Sequence, residues 1–336
     1  MSAKAQFIMP YDVITFGEAM VRLAPANFRR LEQATSLDVQ IGGAELNTAV
    51  GLARLGRSTA WVSRLTRNPL GRRVANSARE AGVSTEHVVW TDADRVGLYF
   101  LEFGAAPRAS SVLYDRKGAA IAQVHPGEVH WANVFAGVRW FHVTGITPAL
   151  SPSAADATRE AILAARKSGV RVSIDLNYRA KLWTPSEAGK WMNELLPSCD
   201  VLITTEEDVA KVLGISGEDY EAVARQLAER FRFTVVAITL RENPLVWRNN
   251  WTAIALHGGR ILKTQTYEVE IVDRLGAGDS FAAGLIHGLL DDEPQKALDY
   301  GVAASAIKHS IPGDFAWITR EEVESLLKGG GLRISR

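Results

Sequence analysis

The sequence predicts a single α/β domain with a mainly parallel central sheet and a small β-sheet appendage near its amino terminus. Short apolar, β-branched segments alternate with helical patterns through most of the 336 residues, and such alternation produces right-handed crossovers and a parallel sheet covered on both faces. One early region breaks this alternation, because two of its strand patterns have no helix between them. The chain shows no repeat, low-complexity tract or linker that would divide it.

The strands and helices of the main sheet follow from short local patterns. The first strand is VITFG at 13–17, and the helix ELNTAVGLARLG follows at 45–56, where Gly56 ends it. Further strands are predicted at 59–65, 140–145, 170–177, 200–205, 234–240 and 267–272. Two more apolar segments read as helices, one at 154–167 and the other, FAAGLIHGLL, at 281–290.

The appendage is predicted from residues of about 18–40 and 96–125. LYFLEF at 98–103 and SVLYD at 111–115 are strand patterns joined by the turn-rich GAAPRAS, and 22–40 has no convincing long helix. We expect antiparallel strands that form a small sheet beside the main one. Because exposed sheet edges are usually covered, we also expect a homodimer through this sheet.

Composition excludes several classes of partner. Lys plus Arg and Asp plus Glu number 38 each, so charge gives no reason to expect nucleic acid or a membrane surface as a partner. The single cysteine, Cys199, fits a reducing compartment and a buried hydrophobic role. Residues 1–12 lack the apolar segment of a signal peptide, and 281–290 is too short to span a bilayer. We expect a cytoplasmic protein.

The segment DRLGAGD at 273–279 is the strongest candidate for chemistry. It lies between a predicted strand and an apolar helix, where the amides of Gly276, Ala277 and Gly278 would favour an anion. Asp279 places a carboxylate beside them, an arrangement that suits phosphoryl transfer with the carboxylate as proton acceptor. The alternative is a tight turn in which Asp279 only caps the helix.

A second pair of glycines is likewise followed by a helix with polar residues in its first turn. Gly42 and Gly43 precede a helix whose first turn holds Glu45 and Asn47. This pattern indicates close backbone approach to a polar ligand, or else a tight loop that Asn47 caps. Rival enzyme classes lack their motifs: no GxGxxG follows the first strand, no GxxxxGK[ST] is present, and the seven histidines have no zinc-site spacing.

Together, GGAELNTAVGLARLG and DRLGAGDSFAAG resemble the two signature regions of the ribokinase-like, PfkB-type carbohydrate kinases. Further segments, GLYFLEFGAAPRASSVLYDR, TGITPALS, DLNYRAKLW and KHSIPGDF, are most similar to those of 2-keto-3-deoxygluconate kinases. The resemblance implies one three-layer α/β sandwich over residues 1–336 with a small β-sheet lid. It also implies ATP and Mg²⁺ as cofactors and a sugar acid phosphorylated at its terminal hydroxyl. A kinase of a neutral sugar (fructose or ribose) and a non-catalytic sugar-binding relative are the alternatives, and Asp279 beside an intact GAG argues against the latter.

The resemblance also implies roles for individual residues. Asp279 would be the general base, and Gly276, Ala277 and Gly278 would supply amides to the transferring phosphate. Asp273 would order the loop or contact a metal-bound water. The expected contacts with the sugar acid are Gly42, Gly43, Asn47, Tyr99, Tyr114, Arg116, Arg179 and Asp314.

The chemistry of these residue types is consistent with an acidic acceptor. Arg116 and Arg179 argue for an acid, because guanidinium is a better planar partner for a carboxylate than an ammonium group. Tyr99 and Tyr114 lie on the two lid strands, where they would contact ligand or serve as ordinary strand aromatics. Asp175, at a strand end, would order its loop or contact the ligand directly.

Two segments depart from the family pattern. The usual Asn-x-x-Glu element is Thr205 to Asp208 here, and a glycine-rich nucleotide loop is replaced after the strand at 234–240. The nucleotide contacts expected from the resemblance are Thr205, Thr239, Arg241, Gly276 and Gly278. We expect Mg²⁺ to arrive with ATP, with Asp208 as its protein contact and no tightly held metal.

Overall fold

The computed structural model describes residues 11–245 and 247–330, with the backbone alone for 241–245. Most of residues 1–12, which lack the apolar pattern of a signal peptide, therefore lies outside the described residues. The strands are β1 Val13–Phe16, β2 Met20–Ala24, β3 Asp38–Gly42, β4 Thr59–Val62, β5 Arg64–Thr66, β6 Val89–Thr91, β7 Leu98–Glu102, β8 Ser111–Asp115, β9 Trp140–Thr144, β10 Arg171–Asp175, β11 Val201–Thr204, β12 Val235–Leu245, β13 Arg248–His257, β14 Arg260–Lys263 and β15 Tyr267–Glu270. The helices are α1 Ala44–Arg54, α2 Pro69–Glu80, α3 Trp131–Val134, α4 Pro152–Lys167, α5 Pro185–Leu195, α6 Glu206–Leu213, α7 Tyr220–Phe231, α8 Ala277–Leu289, α9 Pro294–Lys308 and α10 Arg320–Leu327.

The main sheet has nine strands, eight of them in the order β14-β13-β12-β11-β10-β9-β1-β4, with β15 paired to β13. The strands from β4 through β12 in that order run parallel, and β13, β14 and β15 are antiparallel to their neighbours. The prediction of a mainly parallel sheet is confirmed. The strand before the GAGD segment, β15, runs in the same direction as the parallel strands but pairs antiparallel with β13, because the long β12–β13 hairpin reverses the chain between them.

Helices cover both faces of this sheet. One apolar core joins the sheet to α4, α5, α6 and α7, and a second joins its other face to α8 and α9. The parallel strands are therefore apolar in continuous runs, as in β1, where all four residues are buried. None of the helices in the described ranges is long and apolar enough to cross a membrane.

The smaller sheet, called the lid here, has the order β3-β2-β7-β8. β2 pairs antiparallel with β3, and β7 with β8, as expected, but the prediction of a wholly antiparallel lid is wrong because β2 and β7 run parallel. Parallel neighbours need a long crossover, and the chain from β3 to β6 supplies it. Val39 and Leu113 are exposed on this sheet, and the homodimer through the lid stays a prediction.

Candidate active site

Two adjoining cavities lie at the carboxyl ends of the parallel strands. The larger, of about 330 Å³, lies beside β10, β11 and β12, and the smaller, of about 90 Å³, lies beneath the lid. Four residues line both cavities: Arg179, Leu275, Gly276 and Asp279. The GAGD segment thus lies at the junction of two compartments, where two bound molecules would meet.

The segment 273–279, at the start of α8, is called the anion-binding loop here for the role that its amides would have. Gly276 caps the helix with φ +81°, and a Cβ at this position would lie 2.0 Å from the carbonyl oxygen of Asp314. The amide of Ala277 lies 3.4 Å from the carbonyl oxygen of Arg274, whereas the amides of Gly276, Gly278 and Asp279 have no acceptor within the described part of the chain. Unbonded amides at a helix N-terminus attract negative charge. Space beside Gly278 is open, since a Cβ there would meet nothing within 4 Å.

Asp279 is held by the second glycine segment. Its Oδ2 accepts a hydrogen bond of 2.7 Å from Asn47 Nδ2, while Asn47 Oδ1 accepts one of 3.3 Å from the amide of Gly43. Burial raises the pKa of Asp279 to about 6, against the lowering effects of Asn47 and Arg179. A carboxylate with such a pKa is ionised at neutral pH and still basic enough to accept a proton. This polar environment exceeds what a simple helix cap requires.

The small cavity brings the expected glycines together with Tyr99 and Asp314. A Cβ on Gly42 would lie 2.2 Å from the carboxylate of Asp314 and 2.7 Å from the hydroxyl of Tyr99, and one on Gly43 would lie 1.9 Å from the carbonyl oxygen of Glu18. The Tyr99 hydroxyl itself donates to Asp314 Oδ2 at 2.6 Å. Only glycine lets the backbone run this close to the cavity wall.

Arg116 has a partner that the sequence analysis missed. Its Nη2 donates to the carboxylate of Glu18, a residue that is only 2% exposed, and burial raises the pKa of Glu18 against the opposing effect of Arg116. The guanidinium also lies 5.4 Å from the ring centre of Tyr114, whose side chain is 38% exposed. The signal for Glu18 is an acidic residue two positions after an apolar strand, in GEAM.

Arg179 lines the small cavity together with Arg116, and it lines the large cavity as well. Its exposed side chain lies at the junction of the cavities and makes no hydrogen bond or ion pair within the described ranges. It acts electrostatically on three carboxylates, those of Asp175, Asp208 and Asp279. Both arginines line the small cavity, as a joint contact with the sugar acid would require, and Arg179 also lines the large cavity beside Asp279.

Besides Asp279, the acidic residues that line the large cavity are Asp175 and Asp208. Asp175 Oδ1 accepts a hydrogen bond of 3.0 Å from the amide of Asn177, and burial, followed by the charges of Asp279 and Asp208, raises the pKa of Asp175 to about 8. Burial also raises the pKa of Asp208, against Arg179. Thr205 caps α6 by accepting a hydrogen bond of 3.1 Å from the amide of Asp208, which fixes that carboxylate at the cavity wall.

Hard oxygen donors of this kind fit Mg²⁺ carried by a nucleotide, because Mg²⁺ keeps several waters and takes few protein ligands. No group of three or more His, Cys, Asp or Glu residues within the described ranges is arranged to hold a metal ion. Asp208 is the carboxylate that would contact the ion or its waters.

The large cavity is also lined by residues that no sequence motif predicted. Thr239 lies there as expected, but Asn249, Trp251 and His309 line it too. Asn249 Oδ1 and Trp251 Nε1 are buried without a hydrogen-bond partner in the part of the chain that the structure describes. The backbone of Arg241 pairs with Trp251 in the β12–β13 ladder, while the side chain of Arg241 lies outside the described residues.

Comparisons with known proteins agree with this geometry. The model of the pfkB family of carbohydrate kinases matches residues 11–314. A 2-dehydro-3-deoxygalactonokinase from Haloferax volcanii is 40% identical over 329 residues, which cover 98% of this chain and 100% of that protein. The crystal structure of a 2-dehydro-3-deoxygluconokinase from Thermotoga maritima has a TM-score of 0.92 and 43% identity, covering 95% of this chain and 99% of that one. A fructokinase from Xylella fastidiosa with bound ATP has a TM-score of 0.79 and 25% identity, covering 95% and 99%.

Proposed function

The chain belongs to the pfkB family of carbohydrate kinases, and we propose that it transfers the γ-phosphoryl group of ATP to the terminal hydroxyl of a 2-keto-3-deoxy sugar acid. The candidate acceptors are 2-keto-3-deoxygluconate and its galactonate counterpart, which differ only in the configuration of one carbon. A single observation carries the proposal: a cavity of about 330 Å³ and one of about 90 Å³ beneath the lid meet at Gly276 and Asp279, at the start of α8.

Asp279 is the proton acceptor in this proposal. With the sugar in the small cavity, its terminal hydroxyl would face the Asp279 carboxylate, which Asn47 fixes at 2.7 Å. The hydroxyl oxygen attacks the γ-phosphorus, its proton passes to Asp279, and the bond to the bridging oxygen breaks with its electron pair leaving on ADP. The pKa of about 6 leaves this carboxylate ionised and ready at neutral pH.

The anion-binding loop would stabilise the charge of the transferring phosphoryl group. The amides of Gly276 and Gly278 have no protein acceptor among the described residues, and Arg179 stands beside them at the junction. Fixed donors aimed at developing charge are the main means by which such sites lower a barrier. Mg²⁺, when bound with the nucleotide, would neutralise phosphate charge, and Asp208 is the residue that would hold it or its waters.

The acid end of the substrate is assigned to the lid end of the small cavity. Arg116 carries five N–H donors and uses Nη2 for Glu18, so other donors remain for a carboxylate. The ion pair with Arg116 offsets the charge of the Glu18 carboxylate and so would limit its repulsion of an incoming anion. Tyr99 and Tyr114 line the same cavity. An acceptor with a carboxylate at one end and a primary alcohol at the other fits this order of groups.

An acceptor screen tests the proposal. ADP release is measured with MgATP and, in turn, 2-keto-3-deoxygluconate, 2-keto-3-deoxygalactonate, gluconate, fructose and ribose. We expect the two keto-deoxy acids to give the highest kcat/KM, with neutral sugars lower by at least about 100-fold, because they leave buried guanidinium donors unpaired. Phosphorus–proton coupling in the product should place the phosphate on the terminal carbon. A preference for fructose or ribose would overturn the substrate assignment.

A further inference from the structure

A buried arginine on the lid takes no part in the chemistry described above. Arg22 lies in the apolar strand β2, MVRLA, and is only 2% exposed. Its Nη1 donates to Asp314 Oδ1 at 2.8 Å and its Nη2 to Asp273 Oδ2 at 2.7 Å. The two carboxylates come from positions 251 and 292 residues away in the chain. This pair of bonds therefore joins the lid to the segments on either side of α8 and α9.

Each carboxylate in turn fixes part of the active site. Asp273 accepts hydrogen bonds from the amide of Leu275 at 3.1 Å and from that of Gly313 at 2.9 Å. Asp314 accepts the hydroxyl of Tyr99 at 2.6 Å, and its carbonyl oxygen lies against Gly276. The residues that Arg22 holds are thus the ones that set the direction of the anion-binding loop.

Charge balance makes the arginine necessary at this place. Asp273 and Asp314 are 1% and 7% exposed, and two unpaired carboxylates at such burial would be costly. Lys308, fully buried, donates to the carbonyl oxygens of Ile311 at 3.0 Å and Asp273 at 3.4 Å, so two cations balance two anions. One of those cations belongs to the lid, and the loop reaches charge balance only when the lid is in place.

We propose that Arg22 is a positioning residue that couples the lid to the anion-binding loop. Because Arg22 binds Asp273 and Asp314, the lid would cover the sugar and the Gly276 and Gly278 amides would align at the same time. This inference rests on the role proposed above for those amides. The coupling would prevent the loop from being aligned for transfer while the small cavity is open to water.

The test compares Arg22→Lys with the wild-type enzyme, using whichever acceptor the wild type phosphorylates fastest. A lysine keeps the charge but lacks the planar fork that reaches both carboxylates. We expect kcat to fall about 10- to 100-fold, since small displacements of catalytic groups have effects of this size. The acceptor KM should rise. The dissociation constant of MgADP should stay within about twofold, because neither carboxylate that Arg22 binds lines the large cavity.

Hydrogen exchange gives a readout that does not depend on turnover. In Arg22→Lys, amides of β2 and β7 and of the loop at 273–276 should exchange faster together, with α4 unchanged. Arg95→Lys is the matched control, because Arg95 forms an exposed bidentate pair with Asp115 at the edge of the lid. That variant should match the wild type in every measurement.

The outcomes separate the possible results clearly. A folded Arg22→Lys enzyme with wild-type kcat, or one in which only the lid amides exchange faster, would overturn the coupling. If Arg22→Lys does not fold, Asp273→Asn cuts the same connection at the loop and must produce the same pattern. A different preferred acceptor would overturn the substrate proposal and leave this comparison intact.

Discussion

Asn47 and Asp279 are 232 residues apart in the chain, yet the side-chain amide of the first donates to the carboxylate of the second at 2.7 Å. The bond joins the start of α1 to the start of α8. Asn47 is itself oriented by the amide of Gly43. The two glycine segments of the sequence therefore form one site, in which the first segment holds the carboxylate that the second provides.

Replacing the base should abolish most of the activity. Asp279→Asn keeps the size of the side chain and removes the proton acceptor, so kcat should fall by about 100- to 10,000-fold with a smaller effect on KM. Initial rates of ADP release with saturating substrates measure this. Asp292→Asn, at an exposed position with φ +56°, is the matched control and should leave kcat unchanged. Near-normal turnover by Asp279→Asn would mean that Asp279 only caps the helix and is not the base.

The pH profile should reveal the bond between Asn47 and the base. Because Asp279 must be ionised, kcat/KM should fall as the pH drops through about 6. Donation from Asn47 stabilises the carboxylate, so Asn47→Ala should raise this pKa by about one unit and move the acidic limb to higher pH. The rate loss should thus be largest at low pH and smallest at high pH. If the acidic limb of the pH profile stayed in place in Asn47→Ala, this role of Asn47 would be refuted. Asn133→Ala, at an exposed position, is the control.

Two glycines of the anion-binding loop should respond differently to alanine. At Gly276 the backbone has φ +81° and a Cβ would collide with the carbonyl oxygen of Asp314, so Gly276→Ala should lower both the melting temperature and kcat. At Gly278 the space is open, and alanine favours a helix by up to about 1 kcal/mol. Gly278→Ala should therefore fold as well as the wild type and lose turnover, because its methyl group would stand where the phosphate approaches. Thermal unfolding and initial rates separate the two effects, and normal turnover by Gly278→Ala would exclude close phosphate approach.

Removing Arg116 should lower the stability of the protein as well as its activity. The change leaves Glu18 buried without its partner, which costs roughly 3 to 5 kcal/mol. The folded-state pKa of Glu18 is already raised, and loss of Arg116 raises it further. A raised carboxyl pKa means that the folded state gains stability on protonation, so the cost of Arg116→Ala should shrink as the pH is lowered. Denaturant unfolding at several pH values measures this, and adding Glu18→Gln should restore part of the stability at neutral pH. A loss independent of both pH and Glu18 would contradict the pairing.

Arg179 at the junction should affect transfer to every acceptor. We expect Arg179→Ala to lower kcat by about 10- to 100-fold, the value of one charge-assisted contact of about 1.5 to 3 kcal/mol. The loss should be similar for a sugar acid and for a neutral sugar with residual activity, because both receive the same phosphoryl group. Arg159→Ala, on an exposed face of α4, is the control. A loss confined to the acid would instead assign Arg179 to the substrate carboxylate, as the sequence analysis expects.

Local patterns in the sequence were sufficient for the fold class and for the two glycine segments. Strand and helix positions follow from apolar periodicity, which depends on near neighbours in the chain, and the structure has β1, α1, β9 and α4 within a few residues of their predicted bounds. The prediction of the anion-binding loop likewise rests on adjacent residues, Gly276 to Asp279. Family membership follows from the same segments and from the match to residues 11–314.

Partners distant in the chain were decided only by the tertiary structure. Nothing near Arg116 in sequence indicates that Glu18, 98 residues away, pairs with it, and nothing in MVRLA indicates the two carboxylates that Arg22 binds. The parallel β2–β7 pairing and the meeting of Arg116 and Arg179 at the small cavity depend equally on how the lid folds over the sheet. The physical reason is that burial, which sets these pairings and the pKa of Asp279, is a property of the assembled fold and not of any short segment.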